Sequence, residues 1–111
     1  MPVRPAEKSQ TRFTWDDYRT WADDERWELI EGIAYAMSPA LTTRHQGVVG
    51  RLFGRIESQL RGGPCRPFIA PVDVKLSDAD VVQPDVLVVC DPARITETHI
   101  DATRSVAPYP A

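Results

Sequence analysis

The hydrophobic positions along the chain predict a short helix, a β-hairpin, a long helix and two further strands, in that order. Thr14 followed by two acids is typical of a helix N-terminus and predicts a short helix from about Trp15 to Ala22. Aromatic side chains recur on it every three residues, which favours a core-facing stripe of Trp15, Tyr18 and Trp21. The next segment, RWELIEGIAYAMS, has two apolar runs around Glu31-Gly32 and predicts a hairpin that Pro39 ends.

A longer helix is predicted from Thr42 to Arg61, because apolar residues follow helical spacing there and Gly62-Gly63-Pro64 terminates it. Its apolar face comprises Val48, Val49, Leu52, Phe53, Ile56 and Leu60. Glycines fall on the opposite side, at positions 47, 50 and 54, where each costs roughly 1 kcal/mol of helix propensity relative to alanine. Either another element packs closely against these glycines or the helix is marginal.

Two strands are predicted after this helix. VDVKL at 72–76 alternates like a half-buried strand, and the SDAD that follows supplies turn residues. The run from Val81 to Cys90 predicts one unbroken buried strand, in which Pro84 indicates a bulge or an edge. Asp85 lies in this run, where an ionised carboxylate without a partner costs several kcal/mol, roughly. It therefore needs an ion pair, a hydrogen bond or a metal ion.

Composition and charge narrow the class of protein. The 111 residues suffice for one domain, and the net charge of −3 argues against a surface that binds phosphate everywhere. The basic residues of the long helix, Arg44, Arg51, Arg55 and Arg61, are most simply a solvated face. No window approaches the roughly 18 apolar residues of a membrane span, and the first ten residues lack a signal-peptide core, so a cytoplasmic protein without membrane contact is expected. Cys65 and Cys90 lack metal-ligand spacing and are expected to be reduced.

Carboxylates from the hairpin and from the last strand could together hold Mg²⁺, which takes few carboxylates and keeps several waters. Glu28 and Glu31 point to opposite faces of the hairpin, so at most one of them joins a given site, and a solvated acid is the simpler interpretation of either. Asp73-Val74-Lys75 has the acid-x-lysine spacing of a metal nuclease, but its half-exposed strand favours an accident of composition. His45 in the first turn of the long helix is most simply a neutral histidine satisfied within the fold.

Four segments, taken in order, resemble the Uma-two family of putative restriction endonucleases, within the PD-(D/E)XK nuclease superfamily. They are TWDDYRTWAD, ERWELIEGIAYAMSPA, RHQGVVGRLFGRI and APVDVKLSDADVVQPDVLVV, and the resemblance covers about residues 13 to 95. It implies an α/β fold with a mixed central sheet flanked by helices. It also implies metal-dependent hydrolysis of nucleic-acid phosphodiester bonds, Mg²⁺ as the cofactor and nucleic acid, DNA first, as the partner.

The resemblance also assigns site residues. Pro84-Asp85 matches the family's Pro-Asp half-motif, so Asp85 is the expected metal ligand. Glu28 through Gly32 matches the Glu-Leu-Ile-x-Gly signature, which makes Glu28 the preferred second carboxylate and Glu31 the weaker candidate. The family's Arg-His-Gln is matched at Arg44-His45-Gln46, so His45 becomes a candidate site-lining residue without an assigned role.

The chain departs from the family pattern after Asp91. The family continues with an apolar strand that bears a glutamate and then a lysine, whereas residues 92–111 contain no apolar run of strand length. We therefore expect a restriction-endonuclease-like fold that is truncated at the C-terminus: a flexible segment 1–13, a partial domain 14–91 and an irregular tail 92–111. Catalysis is expected to be impaired, and the uncovered edge of the run 81–90 predicts self-association. The alternative is a non-catalytic interaction module or an inactive remnant of that fold.

Overall fold

A computed structural model of the chain describes residues 12–21, 25–37 and 42–103. These residues form a mixed α/β structure, which confirms the predicted fold class. The elements in chain order are α1 Trp15–Tyr18, β1 Trp27–Ile30, β2 Ile33–Ala36, α2 Thr43–Leu60, β3 Arg66–Ile69, β4 Val74–Ser77, β5 Asp80–Val82, β6 Val86–Val89, a 3-10 helix Pro92–Arg94 and β7 Ile100–Asp101. Among the described residues, no helix combines the length and the apolar character needed to cross a membrane.

Helix α1 begins where the sequence predicts but is shorter. The backbone N–H of Thr14 donates to the Asp17 carboxylate at 2.9 Å, as in a capping box. The helix ends at Tyr18, and residues 19 and 20 form a turn, so the predicted extension to Ala22 is wrong as far as the described residues reach. The predicted aromatic stripe is confirmed: Tyr18 is buried in a cluster with Phe13, and Trp15 and Trp21 pack against that cluster.

The main sheet has five strands in the order β2-β1-β5-β4-β7, antiparallel except for the parallel pair β4–β7. The predicted hairpin is confirmed, with Ile30 opposite Ile33 and positive φ angles at Glu31 (50°) and Gly32 (79°), as a two-residue hairpin turn requires. The N–H of Glu31 donates to Asp80 at 2.8 Å. This hydrogen bond lowers the pKa of the Asp80 carboxyl below its usual value, and a second, smaller contribution comes from the hydrogen bond that the Ser77 hydroxyl donates. The predicted hairpin end at Pro39 lies outside the described residues.

The predicted unbroken strand from Val81 to Cys90 is wrong. Strand β5 belongs to the main sheet and ends at Val82, whereas β6 begins at Val86 and pairs with β3 in a separate two-stranded sheet. Pro84 lies between them, where it has no N–H to donate to a strand ladder, and the chain passes there from the main sheet to the small one. The predicted bulge is therefore a corner between two sheets, formed by residues 83–85, which we call the 83–85 corner.

The two cysteines are not reduced in the structure, contrary to the sequence expectation. They form a disulfide with an S–S distance of 2.07 Å. Strands β3 and β6 run antiparallel with Arg66 opposite Val89, so the residues just beyond this pair, Cys65 and Cys90, lie side by side. The number of residues between two cysteines does not show which strand positions lie opposite each other, so the sequence alone does not predict this disulfide.

The segment after Asp91 is more regular than the sequence predicts. It forms the 3-10 helix and then β7, whose Ile100 pairs with Val74 of β4 and is only 4% exposed. This packing depends on single apolar residues such as Ile100, so the sequence contains no apolar run long enough to predict the strand. Residues 104–111 of the predicted tail lie outside the described part. The predicted boundary at the N-terminal end is also corrected. The sequence places Phe13 in the flexible segment 1–13, but this residue is buried and donates its N–H to the Gly32 carbonyl oxygen at 2.7 Å.

Helix α2 is confirmed, and its first turn is capped by the Thr42 hydroxyl, which accepts from the His45 N–H at 3.1 Å. Its apolar face is only partly covered. The helix contacts β3, yet none of its residues is buried, and Val48 and Leu52 remain 49% and 48% exposed. Of the two alternatives for the glycines, the structure does not support close packing at Gly50 and Gly54, because no atom of the described residues lies within 4 Å of a Cβ built there.

Candidate functional site

The 83–85 corner meets the first turn of α2. Nε2 of His45 lies 3.4 Å from Oδ1 of Asp85, so the structure brings together two residues that the motifs singled out in distant segments. The Asp85 side chain is 55% exposed, which corrects the expectation of a carboxylate inside a buried strand. Because the corner leaves both sheets, the carboxylate faces solvent on one side and the imidazole on the other.

The contact between these two side chains is close but not a directional hydrogen bond. Nε2 of His45 is buried and has no hydrogen-bond partner within the described structure. A cavity of about 30 Å³ adjoins the pair, lined by His45, Gln46, Val49, Ile69, Ala70 and Asp85. That volume is enough for a water or a small ion beside the two polar groups.

Glu28 holds the corner from β1. Its Oε2 accepts the backbone N–H of Gln83 at 2.9 Å, immediately after β5 ends. This side chain therefore satisfies a donor at the point where the chain leaves the main sheet. The structure thus links Glu28 to the same corner as Asp85, through the backbone two residues before the carboxylate.

Glu31 lies elsewhere. Strand β5 runs antiparallel to β1 with Leu29 opposite Val81, which places Glu31 beside Asp80 at the start of β5. The corner follows the other end of that strand. The backbone N–H of Glu31 is used to fix the hairpin turn, and the structure does not bring this residue to Asp85.

Sequence reasoning missed a polar network next to the corner. The Gln83 amide donates to Oδ1 of Asp73 at 2.8 Å and to the Tyr18 hydroxyl at 3.2 Å, and it accepts from Nε of Arg26 at 2.9 Å. Residues from three other parts of the chain thus converge on the Gln83 side chain. A glutamine directly before the Pro-Asp pair is the signal that could have pointed to it, since a strand ending there leaves its side chain free to bridge.

Tyr18 completes this network. Its hydroxyl donates to Oδ1 of Asp73 at 2.6 Å and also lies 2.8 Å from the Trp27 carbonyl oxygen. Burial first, and then the hydrogen bond to Asp73, raise the pKa of Tyr18 far above its usual value, so the hydroxyl stays protonated. Asp73, set aside in the sequence as an accident of composition, is therefore a hydrogen-bond acceptor of the fold.

The described residues do not form a complete site for Mg²⁺. Within ranges 12–21, 25–37 and 42–103, no three histidine, cysteine, aspartate or glutamate side chains are grouped as metal ligands would be. The corner offers one exposed carboxylate, Asp85; its neighbour His45 is an imidazole, a ligand that magnesium does not favour. One oxygen of Glu28 is already engaged by Gln83.

The mixed sheet, the long helix and the Pro-Asp corner that it contacts define a restriction-endonuclease-like α/β protein. The family model Uma2, described as putative restriction endonuclease, matches residues 15–110. This chain therefore belongs to the Uma-two family, whose usual placement is the PD-(D/E)XK superfamily. The match extends beyond residue 95, where the recognised motifs end. No curated protein matches the chain.

Membership of this family sets the general chemistry. Restriction-endonuclease-like families act on nucleic acids and generally use divalent metal ions.

Proposed function

We propose that this chain is a metal-dependent endonuclease of impaired activity that acts on DNA at the 83–85 corner. The observation that supports the proposal is the 3.4 Å approach of His45 to Asp85, because two family motifs from different elements converge there. In this proposal Asp85 is the metal ligand, with Mg²⁺ as the ion. His45 lines the site beside this carboxylate, and Glu28 positions the corner through Gln83.

The proposed impairment follows from the ligand count. A bound divalent ion would offset charge on the scissile phosphate, and it is ordinarily held by one or two carboxylates together with waters and the substrate. Here only Asp85 presents an exposed carboxylate at the corner, and Glu28 would have to share its oxygens with the Gln83 N–H. Weak affinity for the ion, and hence slow hydrolysis, is the expected consequence.

Plasmid nicking tests this proposal. We expect slow conversion of supercoiled DNA to the nicked form in Mg²⁺, abolished by EDTA and reduced at least tenfold in Asp85→Asn, which keeps the side-chain shape but removes its charge. Asp78→Asn is the matched control, because it makes the same change at an exposed turn residue whose carboxylate lies 3.8 Å from Lys75 and away from the corner.

Two results would overturn the proposal. If Asp85→Asn nicks DNA as fast as the unaltered chain, the corner is not the site. If the unaltered chain shows no Mg²⁺-dependent nicking while its circular dichroism is that of a folded protein, the interaction-module alternative replaces the enzyme.

The contact with DNA is proposed to run along α2. Arg44, Arg51 and Arg55 are exposed on one face of this helix, and none has an acidic partner among the described residues, whereas Arg61 pairs with Glu57 at 2.5 Å. We call Arg44, Arg51 and Arg55 the arginine face. The side of the helix next to this arginine face is open as well, since no described atom lies within 4 Å of a Cβ built at Gly50 or Gly54. The first member of the arginine face, Arg44, is next to His45 in the chain, so a DNA strand bound along this face would lead to the 83–85 corner.

The salt dependence of binding tests this surface. A plot of log binding constant against log salt concentration has a negative slope for duplex DNA. The variant Arg51→Ala/Arg55→Ala should make this slope shallower by about 1 to 2, since each lost phosphate contact removes about 0.9 from its magnitude. Arg61→Ala/Arg66→Ala removes the same charge from positions outside the arginine face and should change the slope by much less. Equal changes in the two variants would show that only net charge matters and that α2 is not the contact surface.

The interaction-module alternative rests on a different feature, the apolar surface around the small sheet. Ile69 of β3 and Val88 of β6 are exposed large hydrophobic residues, and within the described residues β3 and β6 pair only with each other. Open strand edges of this kind favour pairing with another chain, which is the basis for proposing a homo-oligomer.

A cytoplasmic location also belongs to the proposal, and there the Cys65–Cys90 pair would be held reduced.

A further inference from the structure

An aromatic groove lies on the side of the main sheet where α1 packs. One cavity of about 220 Å³ is lined by the rings of Tyr18, Trp21 and Trp27 and by Asp73. A second cavity of about 340 Å³ is lined by Trp15 and His99 and shares Asp73 with the first. We call these two cavities the Asp73 groove. Its carboxylate thus lies between two sets of aromatic rings.

The walls of the groove are held in place by the core. The Trp21 ring is 5.4 Å from Tyr18 and 5.8 Å from Trp27, centroid to centroid, and it also packs edge-on against Phe13 at 5.1 Å. Oδ1 of Asp73 is fixed by two donors, Tyr18 and Gln83. Rings and carboxylate are therefore pre-organised, so a ligand would not have to order them on binding.

The second carboxylate oxygen is left open. In the part of the chain that the structure describes, Oδ2 of Asp73 accepts no hydrogen bond and no lysine or arginine forms an ion pair with this residue. Two cations lie at the groove but contact other carboxylates. Arg19, which lines both cavities, contacts Asp16 at 3.1 Å. Lys75 contacts Asp78 at 3.8 Å, and its Nζ lies 5.5 Å from the centroid of the Trp15 ring. Burial lowers the pKa of His99, so this imidazole adds no positive charge near neutral pH. Among the described residues, therefore, no lysine or arginine occupies the free oxygen of Asp73.

We propose that the Asp73 groove binds a guanidinium group, with Oδ2 of Asp73 accepting its N–H donors and tryptophan rings covering its flat faces. A guanidinium is planar, is always charged, stacks on aromatic faces and donates in a fork that matches a carboxylate. Cation–π attraction to tryptophan strengthens as the cation loses water on binding. An alkylammonium ion would use the charge but not the flat faces.

Other ligand classes fit the groove less well. A phosphate or nucleic-acid backbone would be repelled by the carboxylate, and a hard divalent cation would lack the further oxygen ligands it requires. The groove is also distinct from the 83–85 corner, and the hydrogen bonds of Gln83 join the two within the described residues. The proposal therefore does not depend on the proposed nuclease function.

Titration with two probes of the same shape tests this site. Butylguanidinium and butylurea differ in charge but little in size, so we expect saturable quenching of tryptophan fluorescence by the first and at least tenfold weaker binding of the second. Asp73→Asn should weaken butylguanidinium binding at least tenfold, while Glu57→Gln, which removes one negative charge from α2, leaves it unchanged. An asparagine keeps an oxygen that can accept from Tyr18 and Gln83, and circular dichroism checks that this variant folds.

The comparison of probes on the unaltered chain decides the matter even if Asp73→Asn does not fold. Equal binding of butylguanidinium and butylurea, or no saturable binding of either, would overturn the proposal. A further pair of ligands separates two sources of the same group: agmatine stands for a free small molecule, and an acetylated Gly-Arg-Gly amide stands for an arginine of a protein partner. Tighter binding of the peptide would assign the groove to a protein partner, and tighter binding of agmatine would assign it to a metabolite.

Discussion

Replacement of Leu29 by alanine should destabilise the fold by about 2 to 5 kcal/mol, the usual cost of removing a buried leucine and leaving a cavity. Leu29 lies in β1 with Ala34 on one side and Val81 on the other, and it is 0% exposed. Because domains of this size are stable by only about 5 to 15 kcal/mol, this single change would remove a large part of the total. Urea unfolding followed by tryptophan fluorescence measures it.

Leu52→Ala is the matched control for this prediction. It removes the same atoms from a helix residue that is 48% exposed, and should cost under about 1 kcal/mol. A loss of equal size in the two variants would mean that α2 is covered in solution, in conflict with the structure. A small loss for Leu29→Ala would mean that β1 is not the centre of the core.

Reduction of the Cys65–Cys90 disulfide should cost roughly 3 kcal/mol, because the bond removes loop-closure entropy from the unfolded chain. The two cysteines are separated by 25 residues, and this loop contains β3, β4, β5 and β6. Urea unfolding with and without dithiothreitol measures the effect. The variant Cys65→Ser/Cys90→Ser should have the lower stability and should not respond to the reductant.

An unfolding midpoint of the unaltered chain that dithiothreitol leaves in place would contradict this prediction. The site of the loss can be followed as well. Hydrogen exchange should accelerate most in β3 and β6, since the disulfide joins the ends of this two-stranded sheet and the sheet has no further strand partner among the described residues.

The two losses should be nearly additive. Leu29 belongs to a core cluster with Phe13, Tyr18, Ala34 and Val81, whereas Val89, the neighbour of Cys90, belongs to a second cluster with Val74 and Ile100. Residues that share no partners usually have independent effects on the free energy of unfolding. A strong deviation from additivity would show that the two sheets unfold as one unit more tightly coupled than their packing indicates.

Gln83 connects the two candidate sites of this protein. Its backbone N–H is held by Glu28 at the 83–85 corner, and its side chain is held by Asp73 and Tyr18 in the groove. Asp85 follows two residues later, so the geometry of the proposed metal ligand depends on a residue whose amide is anchored in the groove. The two sites were not paired in any motif, and only the bend of the chain brings them onto one side chain.

The sequence by itself determined the features whose signals are local. The start of α1, the Glu31-Gly32 turn and the span of α2 follow from capping residues, from a glycine at positive φ and from apolar spacing, each contained within one segment. The order of motifs also determined family membership, and the family model confirms it over residues 15–110.

The tertiary structure decided everything that depends on which segments meet. The corner at 83–85, the disulfide, the pairing of β7 with β4 and the hydrogen bond from Tyr18 to Asp73 each join positions that no sequence period relates. It also exposed Asp85 and placed His45 beside it, while keeping Glu31 at the other end of β5. The physical reason is that strand register and sheet choice are fixed by burial and hydrogen bonding summed over the whole fold, so a residue's partner is not encoded in its neighbours.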